Sequence, residues 1–254
     1  MAEKMDYIAV FDSGVGGISV LRQLKKCLPN ERFLYYGDSA NAPYGQRTTQ
    51  QVQELTLTAV EKIFQYPVKA LVVACNTATA AAIQLLREKY PQRIIIGIEP
   101  ALKPAADQFP SGRIGVMATE VTLREDKFDQ LLHRFDATAA VTRIPAPGLV
   151  ELVESGKADS PEAEQLLTKI LAPYIGKLDA LVLGCTHYPL AAATIRKVLG
   201  PRVVLFDGGE GTAGQTRRRL EKAQLLWNGP GQVLWLNSAE NEEVLALCKK
   251  LLNQ

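Results

Sequence analysis

Two cysteines occur in the same local pattern at two places in the chain. Cys75 lies in the run ALVVACNT at 70–77, and Cys185 lies in the run ALVLGCTH at 180–187. Each follows a short apolar, β-branched run and precedes an alanine-rich segment, a pattern that predicts a buried strand leading into a helix. A helix N-terminus favours a thiolate, and α/β folds bind ligands at this edge of the sheet. We therefore predict that the two sulfurs face each other across one small substrate.

Two thiols on opposite sides of one carbon atom can invert a stereocentre. One thiolate removes the proton of a carbon acid, and the thiol on the opposite face delivers a proton. A free thiol has a pKa of about 8.5, close enough to neutrality for one sulfur to be ionised while its partner is protonated. In the reverse reaction the sulfur that was protonated must be ionised, and the sulfur that was ionised must be protonated. Cys75 and Cys185 are thus the predicted catalytic pair of a proton-transfer enzyme.

Three further residues are candidates for acid–base assistance. Asp12, at the end of the first predicted strand, could accept a proton from Cys75 or orient it, and His187 could do the same for Cys185. Glu154 is a third candidate near the second cysteine. A lone histidine is more often a structural hydrogen-bonding residue, but its position directly after a strand-end cysteine favours a functional role.

An amino-acid substrate also needs its charged groups held. Hydroxyls, an amide and helix N-terminal N–H groups can bind a carboxylate. The residues that offer them here are Ser13, Asn76, Thr77 and Thr186.

The glycine loop after the first strand does not complete a dinucleotide fingerprint. Gly14 and Gly16 fit Gly-x-Gly-x-x-Gly, but Ser19 occupies the third glycine position. Because a P-loop and a lysine in a pyridoxal-like context are also missing, we expect a reaction without a cofactor. A non-catalytic nucleotide-binding module, based on this loop and on Asp38 at the end of the second strand, is the alternative from a different class.

The two halves of the chain match over several elements. IAVFDSGVG aligns with IGVMATEVT, ALVVACNT with ALVLGCTH, and RIIIGIEP with RVVLFDGG. The matches indicate an internal duplication with a period of roughly 110 residues, far longer than a solenoid unit. They predict an α/β fold of two similar doubly wound (flavodoxin-like) lobes related by pseudo-twofold symmetry. We place the first lobe at 1–98 plus 208–254 and the second at 99–207, with the active site in the cleft between them.

Individual elements follow from apolar spacing and turn residues. Helices are predicted at about 49–65, 123–135, 161–178 and 212–227, and a last strand at 232–237 precedes a closing helix.

Composition and charge limit the class of protein. The 254 residues, 47% hydrophobic and 22% charged, are those of an ordinary soluble globular protein. The net charge of +2 and the lack of a basic run beyond 217–219 predict neither a nucleic-acid nor a membrane partner. The N-terminus lacks the apolar stretch of a signal peptide, and four cysteines do not make a disulfide framework. A cytoplasmic protein with free thiols is expected.

Four linked motifs closely resemble those of the bacterial glutamate racemases, in order and over nearly the whole chain. They are Asp12-Ser13-Gly14-Val15-Gly16-Gly17, Pro43-Tyr44-Gly45-x-Arg47, Cys75-Asn76-Thr77 and Cys185-Thr186-His187. The resemblance implies a cofactor-free interconversion of L- and D-glutamate that supplies D-glutamate for peptidoglycan synthesis. It implies one cysteine for each face of the α-carbon, and Asp12, His187 and Glu154 as assisting acid–base groups.

The same resemblance implies a set of substrate contacts and an oligomeric state. The residues that match the family's substrate contacts are Asp12, Ser13, Pro43, Tyr44, Gly45, Asn76, Thr77, Thr119, Thr186 and His187. Family members commonly form homodimers, so a homodimer is expected. Because the chain begins a few residues before its first strand, we do not expect the activation by a peptidoglycan precursor found in members with an N-terminal extension.

Two other interpretations use the same residues. Aspartate racemase belongs to the same class, and pocket length would separate it from glutamate racemase. A metal site could draw on Cys75, Cys185, His187 and Asp12, which are plausible ligand types but lack close ligand spacing. No metal is expected.

Overall fold

The computed structural model describes residues 7–135 and 139–253, and for Lys127 the backbone alone. Strands and helices alternate along the chain. The strands are β1 (Tyr7–Asp12), β2 (Arg32–Gly37), β3 (Val68–Val73), β4 (Ile94–Gly97), β5 (Arg113–Ala118), β6 (Ala140–Pro145), β7 (Ala180–Leu183), β8 (Val204–Asp207) and β9 (Gln232–Asn237).

These strands form two parallel sheets. The first has the order β4-β3-β1-β2-β9 and the second the order β6-β5-β7-β8. Both contain the doubly wound arrangement, as β2-β1-β3-β4 and β6-β5-β7-β8. The four strands of the second sheet therefore take the places of β1 to β4, as an internal duplication predicts. The two-sheet α/β fold is confirmed.

The helices between the strands cover the faces of the sheets. They are α1 (Ile18–Cys27), α2 (Thr49–Ile63), α3 (Asn76–Lys89), α4 (Leu102–Gln108), α5 (Glu120–Arg124), α6 (Asp126–His133), α7 (Leu149–Glu154), α8 (Pro161–Leu171), α9 (Ala192–Leu199), α10 (Gly209–Lys222) and α11 (Glu242–Leu252). With helices on both faces, β3 is buried at every position, and its residues are apolar except for Lys69, which forms a salt bridge with Glu31.

Three predicted helices have different bounds in the structure. The helix expected at 123–135 is divided into α5 and α6, because Glu125 is extended, with ψ of 140°. The helix expected at 161–178 ends at Leu171, just before Pro173, which cannot donate a helical hydrogen bond. The helix expected at 212–227 runs instead from Gly209 to Lys222, and Gln224 beyond it has a φ of 55°, outside the helical region.

Three apolar clusters form the core. The largest joins both sheets through residues of β1, β7, α1 and α10, and it includes Cys248 of α11. The other two lie on the remaining face of each sheet. Among the described residues, no helix is long and apolar enough to cross a membrane.

The predicted lobe boundaries stay a prediction. The strands of the first sheet lie within 7–97 and 232–237, and those of the second within 113–207. Residues 1–6 and 254 of the predicted first lobe, and 136–138 of the second, lie outside the described residues.

Candidate active site

The two cysteines occupy equivalent positions in the two sheets. β3 ends at Val73 and β7 at Leu183, so each cysteine lies two residues beyond a central strand. Cys75 and Cys185 are 5% and 7% exposed. Cys75 caps the N-terminus of α3, as predicted.

The expectation of a helix N-terminus beside the second thiol is wrong. After Cys185 the chain forms a short 3-10 turn, Tyr188–Ala191, and α9 begins only at Ala192. Directly after Cys185, Thr186 donates to Asp12, and the His187 ring lies between the Cys185 sulfur and Glu154. The electrostatic support for Cys185 therefore comes from side chains rather than from a helix terminus.

Cys75 lies in a buried pocket of weak hydrogen-bonding groups. Its Sγ lies 3.5 Å from Ser13 Oγ, with which it hydrogen-bonds, and accepts from Ala78 N at 3.4 Å. Burial, and then the nearby Asp12 carboxylate, raise the pKa of Cys75 to about 12, against the opposing effect of these two hydrogen bonds. Cys185 also contributes to this rise. Cys75 is therefore a thiol at neutral pH.

Cys185 is paired with a histidine–carboxylate dyad. Its Sγ lies 3.6 Å from His187 Nδ1, and His187 Nε2 lies 2.5 Å from Glu154 Oε1. Burial disfavours the imidazolium, but the hydrogen bonds to Cys185 and Glu154 outweigh it and raise the pKa of His187 well above its usual value. His187 is thus placed to exchange a proton with the Cys185 sulfur while Glu154 stabilises the charged ring.

Asp12 links the two lobes at the base of the site. Its Oδ1 accepts from Gly14 N at 2.9 Å, and its Oδ2 accepts from Thr186 Oγ1, also at 2.9 Å. Asp12 is fully buried, and that burial raises its pKa, while His187 opposes the rise. Both oxygens are engaged, so its influence on Cys75 is through charge rather than a direct hydrogen bond.

A cluster of threonine hydroxyls closes another part of the cleft. Thr77 Oγ1 lies 3.0 Å from Thr119 Oγ1 and 3.3 Å from Thr122 Oγ1, and the latter two are 2.9 Å apart. Thr119 also caps α5. Three hydroxyls from both halves of the chain thus form a polar wall that can exchange hydrogen bonds with a carboxylate.

The loop after β2 contributes the next group of predicted residues. Tyr44 is buried, and its hydroxyl donates to Asp38 Oδ2 at 2.6 Å. The peptide bond before Pro43 is cis. Pro43 and Gly45 line a cavity of 310 Å³, together with Thr119 from the opposite half. Tyr44 therefore reaches the site with its hydroxyl already bonded, whereas Pro43 and Gly45 border an open space.

Asn76 is the predicted residue with an unused polar atom. It is 5% exposed, and its Oδ1 has no hydrogen-bond partner among the described residues. A buried acceptor left without a partner is costly unless a ligand or water satisfies it. The residue that follows Cys75 in the chain therefore has a buried acceptor that a ligand or water donor could satisfy.

The glycine loop lies against the side chains of the other half. A Cβ added at Gly14 would lie 1.8 Å from Glu154 Oε1, and one at Gly16 would lie 2.4 Å from His187 Nδ1. These glycines let the dyad approach the loop backbone closely. Their role in this structure is close packing of the two halves.

Sequence reasoning missed Ser19, Thr122 and Tyr35. Ser19 Oγ bonds both Gly16 O at 2.9 Å and Thr186 O at 2.8 Å, joining the glycine loop to the second cysteine segment. Thr122, three residues after the capping Thr119, could have been found from that spacing. Nothing in the sequence marks Tyr35 as a site residue, because an aromatic residue within a predicted strand is ordinary. No group of three or more His, Cys, Asp or Glu side chains that could hold a metal ion is found in the described part of the chain.

The buried thiols predict a loss of stability at alkaline pH. Burial raises the pKa of Cys75 and of Cys248 from 9.0 to about 12. Between these values the unfolded chain has released protons that the folded chain keeps, so the free energy of unfolding falls as pH rises. The slope is on the order of 1 kcal/mol per pH unit for each thiol. Denaturant unfolding from pH 8 to 11 measures it.

Cys248→Ala should make this slope smaller, whereas Cys27→Ala, at a half-buried thiol, is the matched control. Equal slopes in wild type and Cys248→Ala would contradict the prediction.

This chain is similar in sequence and in fold to known amino-acid racemases. The family described as Asp/Glu/Hydantoin racemase matches residues 15–216. The glutamate racemase of Clostridium novyi (strain NT) is 48% identical over 249 residues, 96% of either chain. A glutamate racemase isoform of Bacillus anthracis has a TM-score of 0.89 at 32% identity, covering 99% of this chain and 96% of that one. Escherichia coli glutamate racemase, in complex with L-glutamate and the activator UDP-MurNAc-Ala, has a TM-score of 0.85 at 29% identity, covering 97% and 95%.

Proposed function

This chain belongs to the Asp/Glu/Hydantoin racemase family and is an isomerase, and from that premise we propose that it interconverts L- and D-glutamate by a two-thiol proton transfer. Glutamate as substrate is supported by the glutamate racemases to which the chain is 42–48% identical. The observation that carries the two-thiol mechanism is the equivalent placement of Cys75 and Cys185. Each follows a central strand of its own sheet, and each has its own polar partners.

The reaction is a deprotonation followed by a protonation on the other face. A thiolate takes the α-proton, and the electron pair of the broken C–H bond is delocalised into the adjacent carboxylate. The opposite thiol then donates its proton to the same carbon, which leaves the carbon inverted and the two sulfurs with exchanged protonation states. No electrons are gained or lost, so the chemistry needs neither an oxidant nor a reductant, and the two sulfurs supply both proton transfers.

The surroundings of the two sulfurs support opposite roles in the resting enzyme. Cys75, with a pKa of about 12, is the proton donor. His187 can take the Cys185 proton, and Glu154 stabilises the resulting imidazolium. In the reverse direction Cys75 removes the α-proton and Cys185 donates. This direction starts from the state that the forward reaction leaves, with Cys75 as the thiolate and Cys185 as the thiol. Asp12 and His187, with Glu154, are the proposed assisting groups.

The polar groups around the thiols fit an amino-acid dicarboxylate. The unpartnered Oδ1 of Asn76 can accept from the ammonium group. We propose that the hydroxyls of Thr77 and Thr119 bind carboxylate oxygens of the substrate. Thr186, whose hydroxyl donates to Asp12, and Ser13, which lies against Cys75, are proposed to complete the substrate contacts. Pro43, Tyr44 and Gly45 are proposed as a wall of the substrate cavity.

The wider context of the activity is also part of the proposal. We assign the protein to the cytoplasm, as a homodimer that supplies D-glutamate for peptidoglycan without a cofactor. The two lobes are proposed to divide at residues 98/99 and 207/208. Sedimentation of the purified protein measures the oligomeric state.

The proposed function is tested by incubating the purified protein with L-glutamate alone and following circular dichroism over time. The signal should decay to zero as the racemic mixture forms, and it should do so equally in the presence of a strong chelator. L-aspartate is the substrate control and should turn over far more slowly. A constant signal with L-glutamate, or faster decay with L-aspartate, would contradict the assignment.

A further inference from the structure

Tyr35 lies beneath the glycine loop, outside the set of predicted site residues. Its side chain is fully buried in β2, and its ring packs on Trp235 of β9 with the centroids 5.7 Å apart. Its hydroxyl donates to Gly14 O at 2.6 Å. Burial, and then the Asp12 charge, raise the pKa of Tyr35 well above its usual value, so this hydroxyl keeps its proton at all working pH values.

The peptide group that Tyr35 contacts has a second hydrogen bond on its other side. The carbonyl of Gly14 and the N–H of Val15 belong to one planar unit. Val15 N donates to Glu154 Oε1 at 2.8 Å, the same oxygen that lies 2.5 Å from His187 Nε2. Because the peptide group is planar, the hydrogen bond from Tyr35 to the Gly14 carbonyl also fixes the direction in which the Val15 N–H points.

The rest of the loop leaves this orientation dependent on Tyr35. A residue at 14 without a side chain can rotate its peptide units more freely than other residues. Gly37 also packs closely against the Gly14 carbonyl, since a Cβ added at Gly37 would lie 2.8 Å from Gly14 O. Gly37 has no side chain and therefore offers this oxygen no side-chain donor. Loss of the tyrosine hydroxyl would leave a buried carbonyl unpaired in its present orientation.

We propose that Tyr35 is a positioning residue of the racemisation, whose hydroxyl orients the Gly14–Val15 peptide so that its N–H holds Glu154 against His187 and, through it, Cys185. The proposal rests on the proposed function of the two thiols. It connects the core of the first sheet to the acid–base partner of the thiol on the second sheet. Only the Cys185 side of the reaction depends on it.

The first test compares Tyr35→Phe with Tyr36→Phe. Tyr36 is the next residue of β2, belongs to the apolar cluster on the opposite face, and packs against Phe11 at 6.4 Å. Tyr35→Phe should lower kcat about tenfold, the effect of one buried hydrogen bond on the population of the working geometry. Tyr36→Phe should leave kcat within about twofold, since no catalytic contact changes. Thermal unfolding of both variants shows that each folds.

Two measurements separate positioning from general damage. With α-deuterated substrates, Tyr35→Phe should raise the primary isotope effect for one enantiomer only. The proton transfer at Cys185 is slowed in both directions of the reaction, but it breaks the C–H bond of the substrate only for the enantiomer that Cys185 deprotonates. In a double-mutant cycle, Tyr35→Phe should cost less than about twofold when Glu154→Gln is already present, since both act on one chain of contacts. Additive losses, or isotope effects that rise equally for both enantiomers, would overturn the proposal.

A third measurement does not depend on activity. The chain has only two histidines, so NMR signals of His187 can be assigned with a His187→Asn variant. Tyr35→Phe should lower the pKa of His187, because Glu154 is held less firmly against the imidazolium, and Tyr36→Phe should leave it unchanged. An unchanged His187 titration in Tyr35→Phe overturns the proposal. Absence of racemisation in the wild-type protein would instead refute the proposed function.

Discussion

Cys75→Ala and Cys185→Ala are each expected to lower kcat for racemisation by about 10³-fold or more, since each removes a group that must give or take a proton at the α-carbon. Neither change should unfold the protein, because a buried thiol is replaced by a methyl group of smaller volume with no ion pair lost. Circular dichroism at saturating glutamate measures the loss. Full activity in either variant would refute the two-thiol mechanism.

Hydrogen exchange in deuterium oxide gives an independent test of the same mechanism. In the wild-type protein the product enantiomer should carry solvent deuterium at the α-carbon, because the proton delivered comes from the second sulfur and not from the substrate. Cys27→Ala is the matched control: Cys27 is a half-buried thiol at the end of α1. It should retain activity within about twofold, the range of substitutions away from a site.

Sequence alone could predict the strands and the positions of the thiols, because both follow from local pattern. A buried parallel strand must be apolar on both faces, so the runs before Cys75 and Cys185 were recognisable as central strands. The repeated run also predicted the equivalence of the two sheets, which the strand orders confirm. Two helix bounds were predicted wrongly, because Glu125 and Gln224 adopt non-helical backbone angles that their residue types do not require.

The contacts that make the site could not be predicted, because they join residues far apart in the chain. Glu154 meets Val15 across 139 positions, and Thr186 meets Asp12 across 174. No local period encodes such a pair. The glycine loop shows the consequence: its spacing matches a dinucleotide fingerprint only at Gly14 and Gly16, and in the structure the missing side chains at these two positions make room for Glu154 and His187.

That close approach gives Gly14→Ala the second largest expected effect. The new Cβ would lie 1.8 Å from Glu154 Oε1 and 2.6 Å from its carboxyl carbon. These atoms are the far end of a flexible side chain, so Glu154 can move aside and the fold is retained. The displaced carboxylate then loses its contacts with Val15 N and His187. We expect kcat to fall about 10²-fold, as for a catalytic group misplaced by about 1 Å, with thermal unfolding close to that of wild type.

Gly211→Ala is the matched control for this change, because a Cβ there would have no atom within 4 Å. It lies within α10, where alanine is favoured over glycine by about 1 kcal/mol, so this variant should be fully active and slightly more stable. If Gly14→Ala kept its activity, the position of Glu154 would not matter to catalysis. If it lost activity only by unfolding, the glycine would serve packing alone. The expected result, a folded protein with its kcat lowered, requires that Glu154 work where the structure places it, between the loop of one half and the histidine of the other.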